Sequence, residues 1–462
     1  MSQLIQELTE TLGETAVITG DAVADRDPLA GLAQSHSGYP SAVLRPKTTD
    51  DVSTILKLCH QHDQAIVPQG GMTGLVEGTR ATSNEVALTL ERMTEIEEID
   101  PVNRTMTVQA GVPLQAAQEA AEEHGLMLPL DLGARGSATV GGNVSTNAGG
   151  NRVIRYGMMR DMVLGLEAVM ADGTVISSLG KMIKNNAGYD LKQLFIGTEG
   201  TLGIVTRIVL RLRQLPKSQN TAFVALDSFE KVTAFLSAID GKLGGTLSAF
   251  EVMWRDFYEL VTTPPAENRP PIPHDYPYYI LVESLGADQE KDSERFEAAL
   301  AETLEDGLLS DAVIAKSQSE CDAMWAMRDD VGQCLQFWPF FAYDVSMGIP
   351  DMETYVAEVK KGLDTTWPDH RSVTFGHLGD GNLHVIVGVG DESLDARRSV
   401  ENIIYAPLRA RKGSVSAEHG IGLEKQPYLD WTRSEPEIAL MRTLKKALDP
   451  KGILNPGKVV AV

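Results

Sequence analysis

The chain has 462 residues, a length that corresponds to two to four domains of the usual size of about 150 residues. Hydrophobic residues make up 43% and charged residues 23% of the chain, which is typical of a folded globular protein and excludes a disordered one. With 41 basic and 64 acidic residues, the formal net charge is -23. Because this charge repels phosphate groups, we expect neither a nucleic-acid partner nor attachment to an anionic membrane.

The cysteines and the N-terminus bear on compartment and cofactors. The three cysteines, Cys59, Cys321 and Cys334, are too few and too scattered for a disulfide framework, a four-thiolate zinc site or an iron–sulfur cluster. The chain contains no apolar run of about 18 residues, and its start, MSQLIQELTETLGE, lacks the basic and apolar regions of a secretory signal. We therefore expect three inert thiols and a cytoplasmic protein without a membrane span.

The first predicted elements surround a glycine-rich loop. A helical pattern over residues 49–62 precedes a strand over 65–68, which runs directly into the loop at 69–75. Short strands are expected between residues 86 and 112, followed by a helix over 114–124. A strand that runs directly into a glycine-rich loop is the first indication of a chemical function.

Two further glycine clusters follow in the first half of the chain. The segment LGARGSATVGGNVSTNAGGN begins at Leu132, and IGTEGTLGIVTRIVLRL begins at Ile196. Between them, strands over 163–171 and 175–178 are joined by a predicted hairpin turn at Asp172-Gly173.

The sequence pattern changes near residue 215, where the glycine clusters stop. Helices are predicted at 228–239, 289–304 and 319–335, and strands at 221–226, 247–253, 278–283 and 311–316. This mixture indicates a second, α+β domain with an antiparallel sheet. We expect three regions: a first domain over 1–215, a second over 216–411, and a C-terminal segment over 412–462 that returns to the first.

The three glycine clusters predict a phosphate-containing ligand. Glycine lets the backbone approach a ligand closely, and consecutive N–H groups then form a cradle for an anion. One such loop is explained by a tight surface turn, but three favour one extended ligand. Neither a GxGxxG after the first strand nor a GxxxxGK[ST] occurs, which argues against Rossmann and P-loop sites. A dinucleotide with a polar heterocycle fits, because amide and hydroxyl groups are offered by Ser137, Asn143, Ser145, Thr146 and Asn147.

Two short motifs, FGHLGDGNLHVIV and VSAEHGIGLEK, contain candidate metal ligands. A two-residue turn at Asp380-Gly381 predicts that His377 lies directly opposite His384, close enough for both rings to bind one divalent ion. Glu418 would complete a two-histidine, one-carboxylate set with open positions. Its neighbour His419 points to the other side of an extended strand and is available as a base. The alternative is a metal-free histidine pair on a solvated sheet face, which the surrounding leucines and valines disfavour.

Arg328 and the aromatic stretch that follows it have two interpretations each. Arg328 either holds a substrate carboxylate through its planar guanidinium or forms a solvated ion pair with Asp329 and Asp330. The aromatic residues from Phe337 to Phe341 either shape one side of a substrate pocket or belong to the core of the second domain.

The ordered motifs resemble the flavin oxidoreductases of the vanillyl-alcohol-oxidase/PCMH type, and among them the FAD-dependent D-2-hydroxy acid dehydrogenases of the D-2-hydroxyglutarate and D-lactate branch. The resemblance runs through PQGGMTGLVEG, SATVGGNVSTNAGGN, GYDLKQLFIGTEGTLGIVT, LSAFEVM, FGHLGDGNLHVIV, SAEHGIG and LDPKGILNPGK. It implies an α+β protein: a PCMH-type FAD-binding domain with two α/β subdomains, a cap domain with an antiparallel sheet that carries the substrate, and a returning C-terminal segment.

The resemblance also implies roles for individual residues. The matching FAD-binding positions are Pro68, Gln69, Gly70, Gly71, Met72, Thr73, Gly74, Leu75, Ser137, Thr139, Gly142, Asn143, Thr146, Asn147, Gly150, Gly200, Ile204 and Asn455. His377, His384 and Glu418 match ligands of a divalent metal, usually zinc. His419 matches the general base, and Arg328 matches the residue that binds the substrate carboxylate. FAD is expected to be non-covalent, because the loop at 69–75 contains no histidine.

The implied reaction is oxidation of a D-2-hydroxy acid to the 2-oxo acid, with hydride transfer to the flavin and electrons passed to an external acceptor such as an electron-transfer flavoprotein or a quinone. Candidate substrates are D-2-hydroxyglutarate, D-lactate and D-malate. Enzymes for the first typically carry a lysine where this chain has Ala342 and Tyr343, and an asparagine where it has Ile386. The alternatives are a glycolate-oxidase-like flavin oxidase, a flavin lyase or synthase, and a non-catalytic electron-carrier subunit. A homodimer is the default expectation.

Overall fold

A computed structural model of the chain describes residues 2–26 and 38–462, which form two compact units. The first unit contains the described residues up to Gly149, together with Gly157–Leu215 and Glu418–Val462. The second unit contains Gly150–Tyr156 and Pro216–Ala417. The chain therefore leaves the first unit twice and returns to it each time.

The described strands are numbered in chain order. Those of the first unit are β1 (Val17–Ile18), β2 (Ala42–Leu44), β3 (Ile66–Gln69), β4 (Val86–Thr89), β5 (Ile96–Asp100), β6 (Thr105–Gln109), β7 (Leu126–Met127), β8 (Val163–Val169), β9 (Val175–Ser178), β10 (Ile204–Arg211) and β11 (Arg213–Gln214). Those of the second unit are β12 (Ser218–Leu226), β13 (Leu247–Trp254), β14 (Tyr278–Gly286), β15 (Asp311–Ile314), β16 (Phe340–Ser346), β17 (Arg371–His377) and β18 (Asn382–Gly388).

The α-helices are numbered in the same way. Their bounds are α1 (Ser2–Leu12), α2 (Asp21–Ala24), α3 (Thr49–Gln61), α4 (Leu114–Glu122), α5 (Val140–Thr146), α6 (Val153–Tyr156), α7 (Met159–Met162), α8 (Phe229–Leu243), α9 (Arg255–Thr262), α10 (Gln289–Glu305), α11 (Gln318–Asp329), α12 (Met352–Thr366), α13 (Leu394–Arg411), α14 (Leu429–Thr432) and α15 (Glu435–Leu448). The helix predicted over 319–335 ends earlier, at Asp329, and the chain continues as a 3-10 helix over Val331–Phe337. No helix in the described ranges is long and apolar enough to cross a membrane.

The first unit contains two main sheets. In the order β1-β2-β4-β3, the last three strands are parallel, and β2 and β4 are buried throughout. The second sheet, β5-β6-β10-β8-β9, is antiparallel throughout. The C-terminal segment joins the first sheet, because Leu454 forms a parallel bridge with Ile66 of β3.

The second unit is built on one antiparallel sheet of seven strands in the order β15-β12-β14-β13-β17-β18-β16. Helices α9 and α11 pack against one face through an apolar cluster that includes Tyr258, Met327 and Phe375. On the opposite face, Phe235 of α8 packs against Phe250 of β13. The unit is therefore a sheet with helices on both faces, in which α11 lies on the same face as residues 251 and 375.

The structure distinguishes between the two interpretations of the aromatic stretch. Phe337 and Phe340 belong to the apolar cluster under α9 and α11, whereas Trp338 is 55% exposed. The stretch is therefore mainly core.

All three cysteines are buried and free, and burial raises the pKa of the Cys59 and Cys334 thiols to about 12. This agrees with the prediction of inert thiols, because the thiolate is the reactive form.

Candidate active site

In the first unit, the glycine-rich loop after β3 packs directly against the segment before α5. A Cβ atom on Gly71 would collide with the backbone oxygen of Ser137, and one on Gly70 would lie 2.7 Å from Oγ1 of Thr139. Only glycine permits this approach of two backbones. The two glycine clusters identified in the sequence therefore form one structure.

Helix α5 presents polar groups beside this loop. Thr139 caps the helix by accepting a hydrogen bond from the N–H of Gly142, 3.2 Å away. Asn143, in the first turn, is 5% exposed, and its Oδ1 has no hydrogen-bond partner. A buried acceptor of this kind favours a ligand that donates a hydrogen bond.

Two adjoining cavities of the first unit lie along the loop and α5, and both are also lined by His419. The predicted cofactor residues that line one or both are Pro68, Gln69, Gly70, Gly71, Met72, Thr73, Gly74, Leu75, Thr139, Gly142, Asn143, Thr146, Gly200 and Ile204. Residues from all three glycine clusters therefore border the same pair of cavities.

Four predicted cofactor residues do not line these cavities. Ser137 is exposed, and Asn147 ends α5 in a left-handed conformation with its Oδ1 accepting a hydrogen bond from the N–H of Arg160. Gly150 begins the segment that belongs with the second unit. Asn455 is buried and donates from Nδ2 to the backbone oxygens of Gly78 and of residue 199. Asn455 therefore connects the C-terminal segment to the two loops that contain Gly78 and residue 199.

One cavity residue, Glu199, was not predicted from the sequence. Its carboxylate accepts hydrogen bonds from the N–H groups of Ile421, at 2.7 Å, and Gly422, at 2.9 Å. Burial raises the pKa of Glu199 above its usual value, and these two hydrogen bonds counteract the rise. Glu199 thereby fastens the segment that begins with Glu418 and His419. A charged residue inside a glycine cluster was the available signal.

In the second unit, β17 and β18 bring the two predicted metal histidines together in a register that differs from the predicted one. His384 pairs with Phe375, not with His377, because a 3-10 turn over Leu378–Asp380 precedes Gly381 and makes the connection longer than two residues. Residues two apart on a strand face the same side, so both imidazoles remain neighbours. Their ring centroids lie 5.3 Å apart.

A third group, Glu251 of β13, connects His377 to Arg328. Its Oε1 lies 2.8 Å from Nδ1 of His377, and its Oε2 accepts a hydrogen bond from Nε of Arg328, also at 2.8 Å. Arg328 is 6% exposed, so the interpretation as a solvated ion pair is wrong, although a contact with Asp329 is present at 3.3 Å. Burial favours a neutral Glu251, but the adjacent His377 and Arg328 hold the pKa of its carboxyl below the usual value.

His384 and Ala417, the last residue of the second unit, meet at a second buried carboxylate, Asp344. Asp344 is the register partner of His384, is fully buried, and accepts a hydrogen bond from the N–H of Ala417 at 2.8 Å. Glu418 follows directly in the chain. Within the second unit, the neighbouring imidazoles of His377 and His384 are therefore the two predicted ligands that the structure brings together.

These arrangements fit the two groups that the sequence predicted. Backbone cradles, amides and the unsatisfied Oδ1 of Asn143 suit a large polar dinucleotide such as FAD. In the second unit, the two neighbouring imidazoles of His377 and His384 suit a zinc-type divalent ion.

Family comparisons cover most of the chain. Residues 215–459 match the family described as FAD linked oxidases, C-terminal domain, and residues 40–178 match the family described as FAD binding domain.

Relatives align over nearly the full length. The chain is 37% identical to the D-2-hydroxyglutarate dehydrogenase of Danio rerio, over 96% of this chain and 84% of the relative. It is 38% identical to the corresponding Arabidopsis thaliana protein, over 99% and 82%. It is 36% identical to a D-2-hydroxyglutarate–pyruvate transhydrogenase of Saccharomyces cerevisiae, over 92% and 88%.

Solved structures show the same fold at low identity. The chain matches p-cresol methylhydroxylase with a TM-score of 0.77 at 17% identity, over 100% of this chain and 97% of the other. It matches alkyldihydroxyacetonephosphate synthase with a TM-score of 0.75 at 17% identity, over 99% and 84%. The predicted PCMH-type fold with an antiparallel second sheet is therefore confirmed.

The comparisons also correct one prediction. The Danio rerio and Arabidopsis thaliana relatives are named as mitochondrial, so the prediction of a cytoplasmic protein is wrong. It rested on the lack of a secretory signal and of a membrane span, and neither feature separates the cytosol from the interior of an organelle.

The matches to both family domains and the near full-length relatives agree with one another. This chain belongs to the FAD-linked oxidase family, in the group that contains the D-2-hydroxyglutarate dehydrogenases.

Proposed function

We propose that the chain oxidises a D-2-hydroxy acid to the 2-oxo acid, with FAD as the oxidant and a zinc ion at His377, His384 and Glu418. The observation that carries the proposal is the pair of neighbouring imidazoles of His377 and His384, with ring centroids 5.3 Å apart, in a chain of the FAD-linked oxidase family. When bound, FAD supplies a hydride acceptor and zinc supplies a Lewis acid.

The chain's own residues bind the substrate and move its proton. Arg328 binds the substrate carboxylate, for which a planar guanidinium is suited. His419, which lines the cavities of the first unit, accepts the proton of the 2-hydroxyl group while the hydrogen on C2 leaves with its electron pair. The carbon–oxygen bond then becomes a carbonyl, which balances the reaction.

The two electrons leave through an external acceptor, either an electron-transfer flavoprotein or a quinone. The sequence contains three cysteines, too few for an iron–sulfur cluster, and no GxGxxG dinucleotide fingerprint. A flavin oxidase on the same scaffold is distinguished by rapid production of hydrogen peroxide in air.

The surroundings of His384 favour a substrate without a second carboxylate. Ile386 lies two residues beyond His384 on the same face, pairs with Ala342 and belongs to the apolar cluster of the second unit. Tyr343 faces the other way and packs against Tyr405. Although relatives are named for D-2-hydroxyglutarate, an apolar pair offers nothing to a second carboxylate. We therefore propose a monocarboxylate such as D-lactate as the preferred substrate.

The test is anaerobic reduction of the bound flavin, followed as loss of its visible absorption. D-lactate, D-malate, D-2-hydroxyglutarate and their L-enantiomers are added separately, with and without a chelator. We expect bleaching by D-acids, fastest with D-lactate, and its loss after zinc removal.

The outcomes separate the parts of the proposal. Bleaching that survives complete zinc removal contradicts the metal role, and fastest bleaching by D-2-hydroxyglutarate contradicts the preference for a monocarboxylate. No bleaching by any hydroxy acid in zinc-loaded, FAD-bound protein contradicts the proposed reaction itself.

A further inference from the structure

We infer that Glu251 is a positioning residue that makes His377 competent to bind the metal by fixing which ring nitrogen carries the proton. The inference rests on the proposed function, because it gives His377 the role of a zinc ligand. The contacts that support it all lie inside the second unit.

Glu251 is held rigidly. It lies on β13 directly opposite His377 of β17 and is 1% exposed. One carboxylate oxygen is bound to His377 and the other to Arg328, each at 2.8 Å. Arg328 is fixed in turn by α11 and lies over the ring of Phe375, 5.4 Å from its centroid. Rotation of the carboxylate would break at least one charge-assisted hydrogen bond.

The contact determines the chemistry of the histidine. A carboxylate can only accept, so Nδ1 of His377 must carry the hydrogen that it donates to Glu251. In the neutral imidazole, the lone pair that a metal requires is then on Nε2. A carboxylate behind a metal-bound histidine orients the ring and increases its basicity.

A glutamine at this position would break the arrangement while keeping its shape. One oxygen becomes an NH₂ group, which can only donate. If this group faces Nδ1 of His377, the ring proton must move to Nε2 and the metal loses its lone pair. If it faces Arg328 instead, two donors meet in a buried place, which is costly.

The same sheet offers a matched control, Glu283 of β14, which is also fully buried. Its carboxylate accepts hydrogen bonds from Ser248 at 2.9 Å, Gln219 at 2.7 Å, Trp325 of α11 at 3.0 Å and Arg152 at 3.3 Å. None of these four partners is a candidate metal ligand. Glu283→Gln therefore removes an equally buried charge from the sheet and leaves the proposed ligands in place.

The experiment measures zinc affinity rather than activity. Full-length, FAD-loaded protein is depleted of zinc and titrated with zinc alone in competition with a chromophoric chelator, for the parent chain, Glu251→Gln and Glu283→Gln. Thermal unfolding and the flavin spectrum establish that each variant is folded. We expect Glu251→Gln to weaken zinc binding by about 10- to 100-fold, and Glu283→Gln to bind zinc like the parent.

Equal zinc affinity of the parent and Glu251→Gln overturns the inference, as does an equal loss in both variants, which would assign the effect to a lost buried charge. If Glu251→Gln does not fold, Glu251→Asp takes its place, and parent-like zinc affinity of that variant overturns the inference. Failure of the parent to bind zinc overturns both this inference and the proposed metal role. Normal zinc binding without flavin bleaching contradicts only the proposed reaction.

Discussion

At the scale of single residues, buried carboxylates hold the functional parts together. Glu199, Glu251 and Asp344 each accept hydrogen bonds from groups far away in the sequence, at residues 421–422, at 328 and 377, and at 417. A buried carboxylate is costly unless its oxygens are satisfied. Each one is therefore stable only when distant segments of its unit are correctly placed around it.

Replacing Glu199 by alanine should loosen the C-terminal segment of the first unit. The N–H groups of Ile421 and Gly422 would lose their acceptor, and each buried unsatisfied group costs roughly 1–3 kcal/mol. We expect a lower unfolding temperature and weaker FAD retention, measured by thermal denaturation and by flavin content after gel filtration. Glu305→Ala, at an exposed helix end, is the control. An unfolding temperature equal to that of the parent would contradict this role.

Replacing His419 by asparagine should slow the chemical step. If His419 accepts the hydroxyl proton, its loss should lower the rate of anaerobic flavin reduction by about 100- to 10,000-fold, while the flavin spectrum is unchanged. Stopped-flow absorbance measures the rate. His124→Asn, at an exposed histidine of the first unit, should reduce its flavin at the parent rate. Full-speed reduction in the His419 variant would remove it from the mechanism.

At the scale of elements, the contact between the loop after β3 and the start of α5 creates the cavity walls. The contact depends on glycine, because a side chain at Gly71 has no space beside the backbone of Ser137. Small changes there displace two glycine clusters at once.

Gly71→Ala should therefore impair FAD binding. The added methyl group forces the loop away from residues 137–142, so we expect weaker FAD affinity, measured by equilibrium dialysis of apoprotein. Gly241→Ala is the control: a Cβ there meets nothing within 4 Å, and alanine in the helix α8 should stabilise by about 1 kcal/mol. Equal FAD affinity of the two variants would show that the contact does not shape the site.

The histidine hairpin shows what a local pattern can predict. Residues 377 and 384 were expected to share one face, and they do, because a shift of two residues preserves the side on which a strand residue lies. The exact register was wrong, because Asp380-Gly381 resembles a two-residue turn while the actual connection includes a 3-10 turn. Turn length depends on packing that a dipeptide does not encode.

Pairings between strands that are distant in the sequence cannot be predicted from such local patterns. Glu251 and His377 are 126 positions apart, and nothing in either motif specifies that β13 lies beside β17. A usable signal exists, however. A lone acid inside an apolar strand, as in LSAFEVMW or YYILVESL, indicates a buried charge that must have a partner.

At the scale of the whole molecule, the prediction of three regions, residues 1–215, 216–411 and 412–462, came from the glycine distribution and the apolar periodicity. It did not anticipate that Gly150–Tyr156 would belong to the second unit. There, Arg152 contacts Glu283 at 3.3 Å. Arg155 of the same segment donates to the backbone oxygens of Thr246 and Leu285, so its membership of the second unit rests on long-range contacts that the local sequence does not specify.

The thiols provide a test of how closed both units are. Burial raises the pKa of Cys59 and Cys334 to about 12 and also raises that of Cys321. At mildly alkaline pH, we expect none of them to react rapidly with a disulfide reagent such as DTNB, and all three to react in denaturant. Absorbance of the released thiolate gives the count. A rapid first equivalent from folded protein would reveal local opening.

The return of the chain to the first unit has a consequence for its synthesis. β3 receives Leu454 as a neighbour, and the N–H of Ile66 donates to the backbone oxygen of Ile453. A ribosome makes β3 early but supplies these partners only after all residues of the second unit. The nascent first unit must therefore wait, with one sheet edge incomplete, while the whole second unit emerges and folds. Until then, that edge of β3 presents unpaired N–H and C=O groups, which are a template for pairing with another chain.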